Sequence, residues 1–376
     1  MNELRELYIE PTSNCNLHCV MCSRNLWENE TKGHMDLTLF NKLIDEIPDT
    51  VTRIFFGGIG EPLHHPDILY MLRRAKETGR TVEVITNGTL LDNEMSEKIV
   101  DTKLDMLWLS LDSLEEESYE NIRSGAKFNS VMDNISVFNK IRSHPYSLVR
   151  RPEKVKVKLG IAFVLMKDNL TQFKMLLTKA HSLGIADVKA THLVPYDKSQ
   201  INRICYERMI GLGMYAAPGT TGISVDVPLM DTKDMQKYDL FPFSSNPLLS
   251  FSITGTPLRT KENYCRFIEE GICFVRWDGE VCPCMALLHE NTVYQQYSKR
   301  RVRPCSYGNA NEKNLLEIWE GDNYAAFRQR VINFEFSPCS LCGPCDFFNT
   351  NEKDCLGNTF PTCGACLWAQ GLFQCP

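Results

Sequence analysis

Three cysteines fall within eight positions near the start of the chain, in the stretch SNCNLHCVMCSRN, spaced Cys15-x3-Cys19-x2-Cys22. Three thiolates are one short of the set that closes a structural metal site. A four-iron cube held by three of them leaves one iron free to bind a small chelating molecule, as catalytic metal sites keep a position open for substrate. Structural zinc with a distant fourth ligand and inert buried thiols are the readings that the spacing alone leaves open.

The same chemistry recurs at the other end. The chain has 16 cysteines in 376 residues, and twelve of them lie between 265 and 376. Disulfide scaffolds of that density belong to small secreted chains, and nothing here resembles an export leader. With only 8 histidines to accompany the thiols, iron–sulfur is favoured over zinc. An oxygen-avoiding, cytoplasmic setting follows from that reading. In CFVRWDGEVCPC, Asp278-Gly279 predicts a hairpin turn displaying Cys273, Cys282 and Cys284. The tail adds Cys339, Cys342, Cys345, Cys355, Cys363, Cys366 and Cys375. Two further cubes need up to about eight thiolates. A single zinc ion held by the pairs Cys339/Cys342 and Cys363/Cys366 is the alternative.

What must position these groups is an alternation of strands and helices. LYIEPT (7–12) reads as a strand running into the first cysteine loop, and RIFFGG (53–58) as the next. TVEVITNG, DMLWLSLDS, KVKLGIAFVLM and ADVKATHLVPY supply four more. Between the first two strands, DLTLFNKLIDEI places Leu37, Phe40, Leu43, Ile44 and Ile47 on one helical face. Pro66 marks a helix start and Gly79 its end, and Asn169 and Gly184 bracket another. Six strand–helix repeats predict an α/β fold with a parallel sheet, a partial (β/α)6 TIM-like barrel left open. Functional loops in such folds gather at the carboxyl ends of the strands. The cysteine loop, GGIGEP, TNG and SLDS should therefore share one rim. The expected division is a partial barrel over 1–200, a bridging or substrate-facing segment with little regular structure over 201–262, and a cysteine-rich domain over 263–376.

Cys-x3-Cys-x2-Cys after the first strand resembles the signature of the radical S-adenosylmethionine (SAM) superfamily. The resemblance implies that Cys15, Cys19 and Cys22 hold a [4Fe–4S] cluster whose free iron chelates SAM. An electron then cleaves the sulfonium, and a 5′-deoxyadenosyl radical takes hydrogen from substrate. GGIGEPL resembles that family's Gly-Gly-Glu-Pro motif, which implies SAM contacts at Gly58, Gly60, Glu61 and Pro62. Asn87, Ser110 and Asp112 sit where the family contacts ribose and methionine groups, and Arg123 resembles an arginine that pairs with SAM's carboxylate. Gly160 and Val194-Pro195 fall on the adenine side by the same resemblance. His64, His65 and His192 are assigned no role, and no general base is identified.

The C-terminal pattern, Cys265-x13-Gly279-x4-Cys284 followed by Cys339-x2-Cys342, resembles a SPASM domain, which carries auxiliary iron–sulfur clusters. That likeness implies one or two auxiliary [4Fe–4S] clusters. Cys265, Cys284 and one of Cys273 or Cys282 are expected on the first, with Cys339, Cys342 and later tail cysteines on the second. Cys205 and Cys305 are expected to be spare. CGACLWAQGLFQCP, with GGIGEPLHHPD and HLVPY, resembles cofactor-modifying or maturation proteins of tungsten-containing aldehyde:ferredoxin oxidoreductases. The implied function is a radical SAM maturase acting on such an oxidoreductase or its pterin cofactor. A peptide- or protein-modifying SPASM maturase is the rival within enzymes, and a non-catalytic iron–sulfur carrier is the rival outside them. A carrier needs no SAM-binding rim. The implied electron donor is reduced ferredoxin or flavodoxin. With a net charge of −6, no basic stripe and no apolar run near the length of a membrane span, neither nucleic acid nor membrane is an expected partner.

Overall fold

The structure, a computed structural model, describes residues 3–28, 30–143, 157–206, 223–228, 249–254, 264–295, 298–337, 339, 345–369 and 373. The six expected strands are all present: β1 Glu6–Ile9, β2 Arg53–Phe56, β3 Thr81–Thr86, β4 Met106–Ser110, β5 Lys158–Leu165 and β6 Asp187–His192. They pair in chain order, each parallel to the next. Helices α1 (Leu37–Asp45), α2 (Ile68–Glu77), α3 (Asn93–Asp101), α4 (Glu116–Ile122), α5 (Phe128–Ser143) and α6 (Leu170–Lys179) supply the crossovers that parallel pairing requires. Asp36 starts α1 by accepting a hydrogen bond from Thr38 N, a cap that contributes about 1 kcal/mol. Leu39, Phe40, Leu43 and Ile44 turn that helix's apolar face to the sheet.

The sheet continues past the expected six strands at both ends. Within 201–262, β7 (Ile223–Pro228) adds to β6 and β8 (Leu249–Thr254) adds to β7, both parallel. On the other side, β9 (Ile272–Val275) lies parallel to β1, and β10 (Val281–Cys282) returns antiparallel to β9. The ten-stranded sheet thus ends at β10 and β8 and stays open. It runs across both of the boundaries expected at 200 and 263. The segment expected to carry little regular structure supplies two strands of the barrel sheet.

The expected hairpin is β9–β10. Arg276 N donates to Glu280 O at 2.9 Å, and Asp278 holds the Arg276 guanidinium across the turn. Helix α7 (Arg266–Glu269) precedes it, and past it come a two-stranded ribbon of β11 (Asn291–Gln295) and β12 (Ser298–Val302) and helices α8 (Leu315–Glu320) and α9 (Asp322–Ile332).

Strand alternation divides the sheet into two faces. Leu7, Ile9, Ile54, Phe56, Val82, Val84, Leu107, Leu109, Leu159 and Ile161 share the buried outer face. The inner face is layered. Its lower layer is polar: Arg53 makes a bidentate pair with Glu83 at 2.9 and 2.7 Å and reaches Glu6 at 2.9 Å. Trp108 Nε1 donates to Glu83 at 2.6 Å, and Lys189 lies over the Trp108 ring. A Cβ on Gly160 would come within 2.5 Å of that ring. Gly160 therefore makes room for Trp108 and does not line the SAM side expected of it. Above this plug, Ile85, Ser110, Val164 and Thr191 end the same strands and floor an open cavity.

Candidate functional site

The loop after β1 is held on both sides. Met35 N donates to Pro11 O at 2.8 Å and Ser13 N to Gly33 O at 3.1 Å. Further on, His18 N and Val20 N donate to Ser124 O and Ile122 O at the end of α4, both at 2.9 Å. Cys15, Cys19 and Cys22 sit on this loop, half-buried, and all three line the cavity. The cavity encloses about 1070 Å³ of empty space, part of it open to solvent.

The four expected rim loops do converge there. Gly58, Gly60, Glu61, Pro62, Asn87, Ser110 and Arg123 line the same cavity as the three thiols. The GGIGEP loop can approach the thiol loop only because Gly58 and Gly60 carry no side chain. A Cβ on Gly60 would stand 2.0 Å from the carbonyl oxygen of Thr12, and Gly58 adopts φ +152° against Glu10. Glu61 N then donates to Asn14 O at 2.8 Å.

Glu61 itself turns away from the cavity centre. Its carboxylate accepts from Thr86 Oγ1 and Asn87 N, both at 2.7 Å, and from Leu63 N at 3.0 Å. It ties the second rim loop to the third and leaves backbone facing the cavity. Burial pushes its carboxyl up, and those three donors oppose the shift. Asn87 in turn donates to Asn16 Oδ1 at 3.0 Å and points the same amide at Cys15 Sγ, 3.9 Å away.

Asp112 departs from expectation. It is fully buried, does not line the cavity, and pairs with Arg123 Nη2 at 2.6 Å while accepting from Val164 N. The step from Ser110 to Asp112 carries it past the strand end and behind the arginine. It therefore positions Arg123 and makes no cavity contact of its own. Breaking such a buried pair by removing one partner costs about 3–5 kcal/mol. Asn169, the expected cap of α6, makes no capping bond and instead donates to Asp112 O and Val164 O.

Arg123 directs Nη1 at Cys19 Sγ, 3.9 Å away, and its buried Nε has no hydrogen-bond partner among the described residues. A buried guanidinium with a free N–H, beside three thiols, fits an anionic group or a carboxylate in the cavity. Burial pushes the Cys19 thiol up to about 11 against the pull of Arg123, and it raises Cys15 as well. Metal uptake must therefore expel protons from these thiols. The residues fit an open three-thiolate cluster.

The C-terminal thiols sort into groups that spacing did not predict. Cys265, Cys284, Cys363 and Cys366 lie within electrostatic reach of one another. Backbone N–H groups point at three of these sulfurs: Phe267 and Ile268 at Cys265, Leu287 at Cys284, Trp368 and Ala369 at Cys366. Such donors suit thiolates in a buried cluster. Cys339 falls in a second group with Cys345 and Cys355. Cys339 thus groups with Cys345 and Cys355, apart from the pair Cys363/Cys366 with which the single-zinc reading would join it. Among the described residues, no three metal-binding side chains stand close enough to hold one ion. Cys342 and Cys375 lie outside the described residues. Arg300, buried, lies within electrostatic reach of Cys339, Cys363 and Cys366.

Cys273 and Cys282 do not join Cys284, contrary to expectation. Cys273 pairs in register with Leu7 and so faces the outer core, toward Tyr324 and Arg328 of α9. Cys282 pairs with Phe274 on the opposite face, near Arg276 and Cys305. Cys273 and Cys282 thus sit on opposite faces of the hairpin. Cys205 is buried in the core.

The four-thiol group and the three-thiol cavity share a wall. Cys284 lines a smaller cavity of about 590 Å³ beside Cys363 and Cys366, and the next residue, Met285, lines the larger one. Trp368 lines both. His192, Val194, Tyr196 and Phe373 complete the larger cavity's far wall. His65 is structural, bonded to Met35 O and Asp67 N. One feature gave no sequence signal: Glu10, Glu30 and His289 meet in a buried cluster behind the GGIGEP loop. Glu10 stands directly before the thiol loop, while His289 lies 279 positions on in sequence.

Residues 9–149 match the family model of the radical SAM superfamily, and residues 265–346 match that of the SPASM iron–sulfur cluster-binding domain. The chain is 32% identical to a tungsten-containing aldehyde ferredoxin oxidoreductase cofactor-modifying protein of Pyrococcus furiosus, over 99% of this chain and 97% of that one. An AdoMet-dependent heme synthase of Methanosarcina barkeri is 25% identical over 95% of this chain and 91% of its own. Among solved structures, Streptococcus suis SuiB bound to S-adenosylmethionine superposes with a TM-score of 0.61 at 20% identity. That likeness of fold covers 91% of this chain and 71% of SuiB.

Proposed function

Because this chain belongs to the radical SAM superfamily, as an enzyme with a C-terminal SPASM iron–sulfur domain, we propose that it matures a tungsten-containing oxidoreductase or its pterin cofactor. The observation that carries this reading is the end-to-end similarity to the Pyrococcus furiosus cofactor-modifying protein. When bound, the [4Fe–4S] cluster and SAM supply reductive cleavage of the sulfonium and a 5′-deoxyadenosyl radical that takes hydrogen from substrate.

The chain's own residues hold and orient. Cys15, Cys19 and Cys22 are the proposed cluster ligands. Arg123, braced by Asp112, offers its guanidinium to the carboxylate of SAM. The backbone of Gly58–Pro62 receives the amino group, and Asn87 and Ser110 border the ribose side. Tyr196, Trp368 and Phe373 close the far wall against water, where substrate is to lie. Reduced ferredoxin or flavodoxin is the proposed electron donor, and the cytoplasm the proposed compartment. No helix among the described residues is long and apolar enough to cross a membrane.

The test is anaerobic turnover with SAM, reductant and the oxidoreductase produced without this protein. We expect 5′-deoxyadenosine together with a SAM-dependent mass change in the oxidoreductase or its cofactor. SAM cleavage that modifies only a short peptide would move the assignment to the peptide-modifying class. The thiol grouping carries its own prediction. Cys284→Ala and Cys363→Ala should each lose about four irons per chain, whereas Cys273→Ala should keep its full iron content. Equal iron loss in Cys273→Ala would return that thiol to the ligand set.

A further inference from the structure

Glu10 directly follows β1 (Glu6–Ile9), fully buried, immediately before the thiol loop. Its Oε1 accepts a hydrogen bond from Ile59 N at 3.0 Å, the residue between the two cavity-lining glycines Gly58 and Gly60. Gly58 lies so close that a Cβ there would meet Glu10 Cγ at 2.6 Å. The GGIGEP loop therefore rests on one carboxylate.

That carboxylate is gripped by the C-terminal domain. His289 Nε2 contacts both Glu10 oxygens at 3.0 Å, and its Nδ1 faces Glu30 at 3.2 Å. Glu30 is held in turn by Glu290 N at 2.8 Å, and the Trp27 ring covers the imidazole at 4.4 Å between centroids. His289 follows Cys284 by five residues and leaves the same short segment whose Met285 lines the SAM cavity. With a carboxylate on each ring nitrogen, the imidazole donates from both and is an imidazolium. Burial pulls its pKa down, but Glu10 and Glu30 outweigh burial and hold it up at about 9.

We propose that His289 is a positioning residue for the SAM site, fixing the GGIGEP loop through Glu10 and so making SAM affinity depend on the C-terminal domain. This rests on the reading that the loop receives SAM. An uncompensated Glu10 carboxylate, buried without its cation, bears its full desolvation cost, and the loop that bonds it through Ile59 N loosens. The clamp is strongest where imidazolium and both carboxylates coexist. Its contribution is fully present below the unfolded histidine value and is lost as pH rises through about 9. Arg276, Cys282 and Glu290 are the other titratable or charged groups facing this cluster.

The experiment uses the fully reconstituted protein and reads SAM affinity from the change that SAM makes in the EPR spectrum of the reduced N-terminal cluster. His289→Leu should weaken SAM binding about tenfold, the effect of losing one buried charged hydrogen bond. His289→Gln, which keeps a donor but not the charge, should lie between, and Glu30→Gln should shift affinity the same way by less. Iron content should be unchanged in all three. Wild-type affinity should fall more steeply than that of His289→Gln as pH rises through about 9. Unchanged affinity and identical pH profiles in folded, iron-replete variants would overturn the proposal. Wild-type protein whose spectrum does not respond to SAM would instead overturn the reading of the site beneath it.

Discussion

Cys22→Ala is expected to abolish SAM cleavage while leaving the auxiliary clusters in place. Cys22 closes the thiol loop, where its N–H donates to Cys19 O at 3.0 Å before a short 3₁₀ turn, and its side chain faces the cavity and not the core. Alanine therefore costs little stability, but two thiols remain where three corners of a cube must be held. Iron should fall by about four atoms per chain, and 5′-deoxyadenosine should drop to background. The group of Cys265, Cys284, Cys363 and Cys366 shares no loop with Cys22 and should retain its absorbance and EPR signals. A Cys22→Ala protein that still cleaves SAM would remove the loop from the reaction.

Gly60→Ala should be nearly as damaging through a different route. Its new methyl would stand 2.0 Å from Thr12 O and 2.8 Å from Asn14 O, both backbone atoms of the segment that leads into Cys15. Backbone cannot swing aside as a side-chain tip can, so the two loops must separate. That breaks the bond from Glu61 N to Asn14 O and displaces the thiol loop from its partners. We expect a stability loss of about 2–3 kcal/mol in denaturant unfolding, the upper range of overpacking. SAM affinity should fall by more than about tenfold, since each 1.4 kcal/mol of lost contact is a factor of ten. Gly79→Ala is the control: its Cβ meets nothing within 4 Å, so strain from φ +77° should lower stability slightly and leave SAM binding alone. Equal SAM affinity in the Gly60 and Gly79 variants would refute the packing argument.

The thiol spacing, the glycine loop and the strand–helix alternation were legible because each is written in consecutive residues. Asp278-Gly279 announced its hairpin for the same reason. What escaped was set by neighbours distant in sequence. β7 and β8 lie in a stretch rich in turn-forming residues, and parallel pairing of β7 to β6 and of β8 to β7 overrides that composition. The thiol groups join Cys265 to Cys366 across the whole domain, while the register of β9 against β1 turns Cys273 to the outer core. Asp112 resembled a ligand contact, yet one strand-end step hides it behind Arg123. Gly160 owes its identity to Trp108 on the next strand, and Glu10 its role to a histidine in the other domain.

The pairing of β9 with β1 bears on how the molecule is made. β1 is an interior strand, flanked by β2 and β9, but β9 is synthesised only after the other eight strands of the parallel run. During translation β1 therefore waits with one edge bare, the condition in which strands recruit the wrong partner. Such a long-range closure is slow to find, because loop entropy is lost before the contact returns anything. Until it forms, the thiol loop that follows β1 is reachable from the side that Trp277 and His289 later cover.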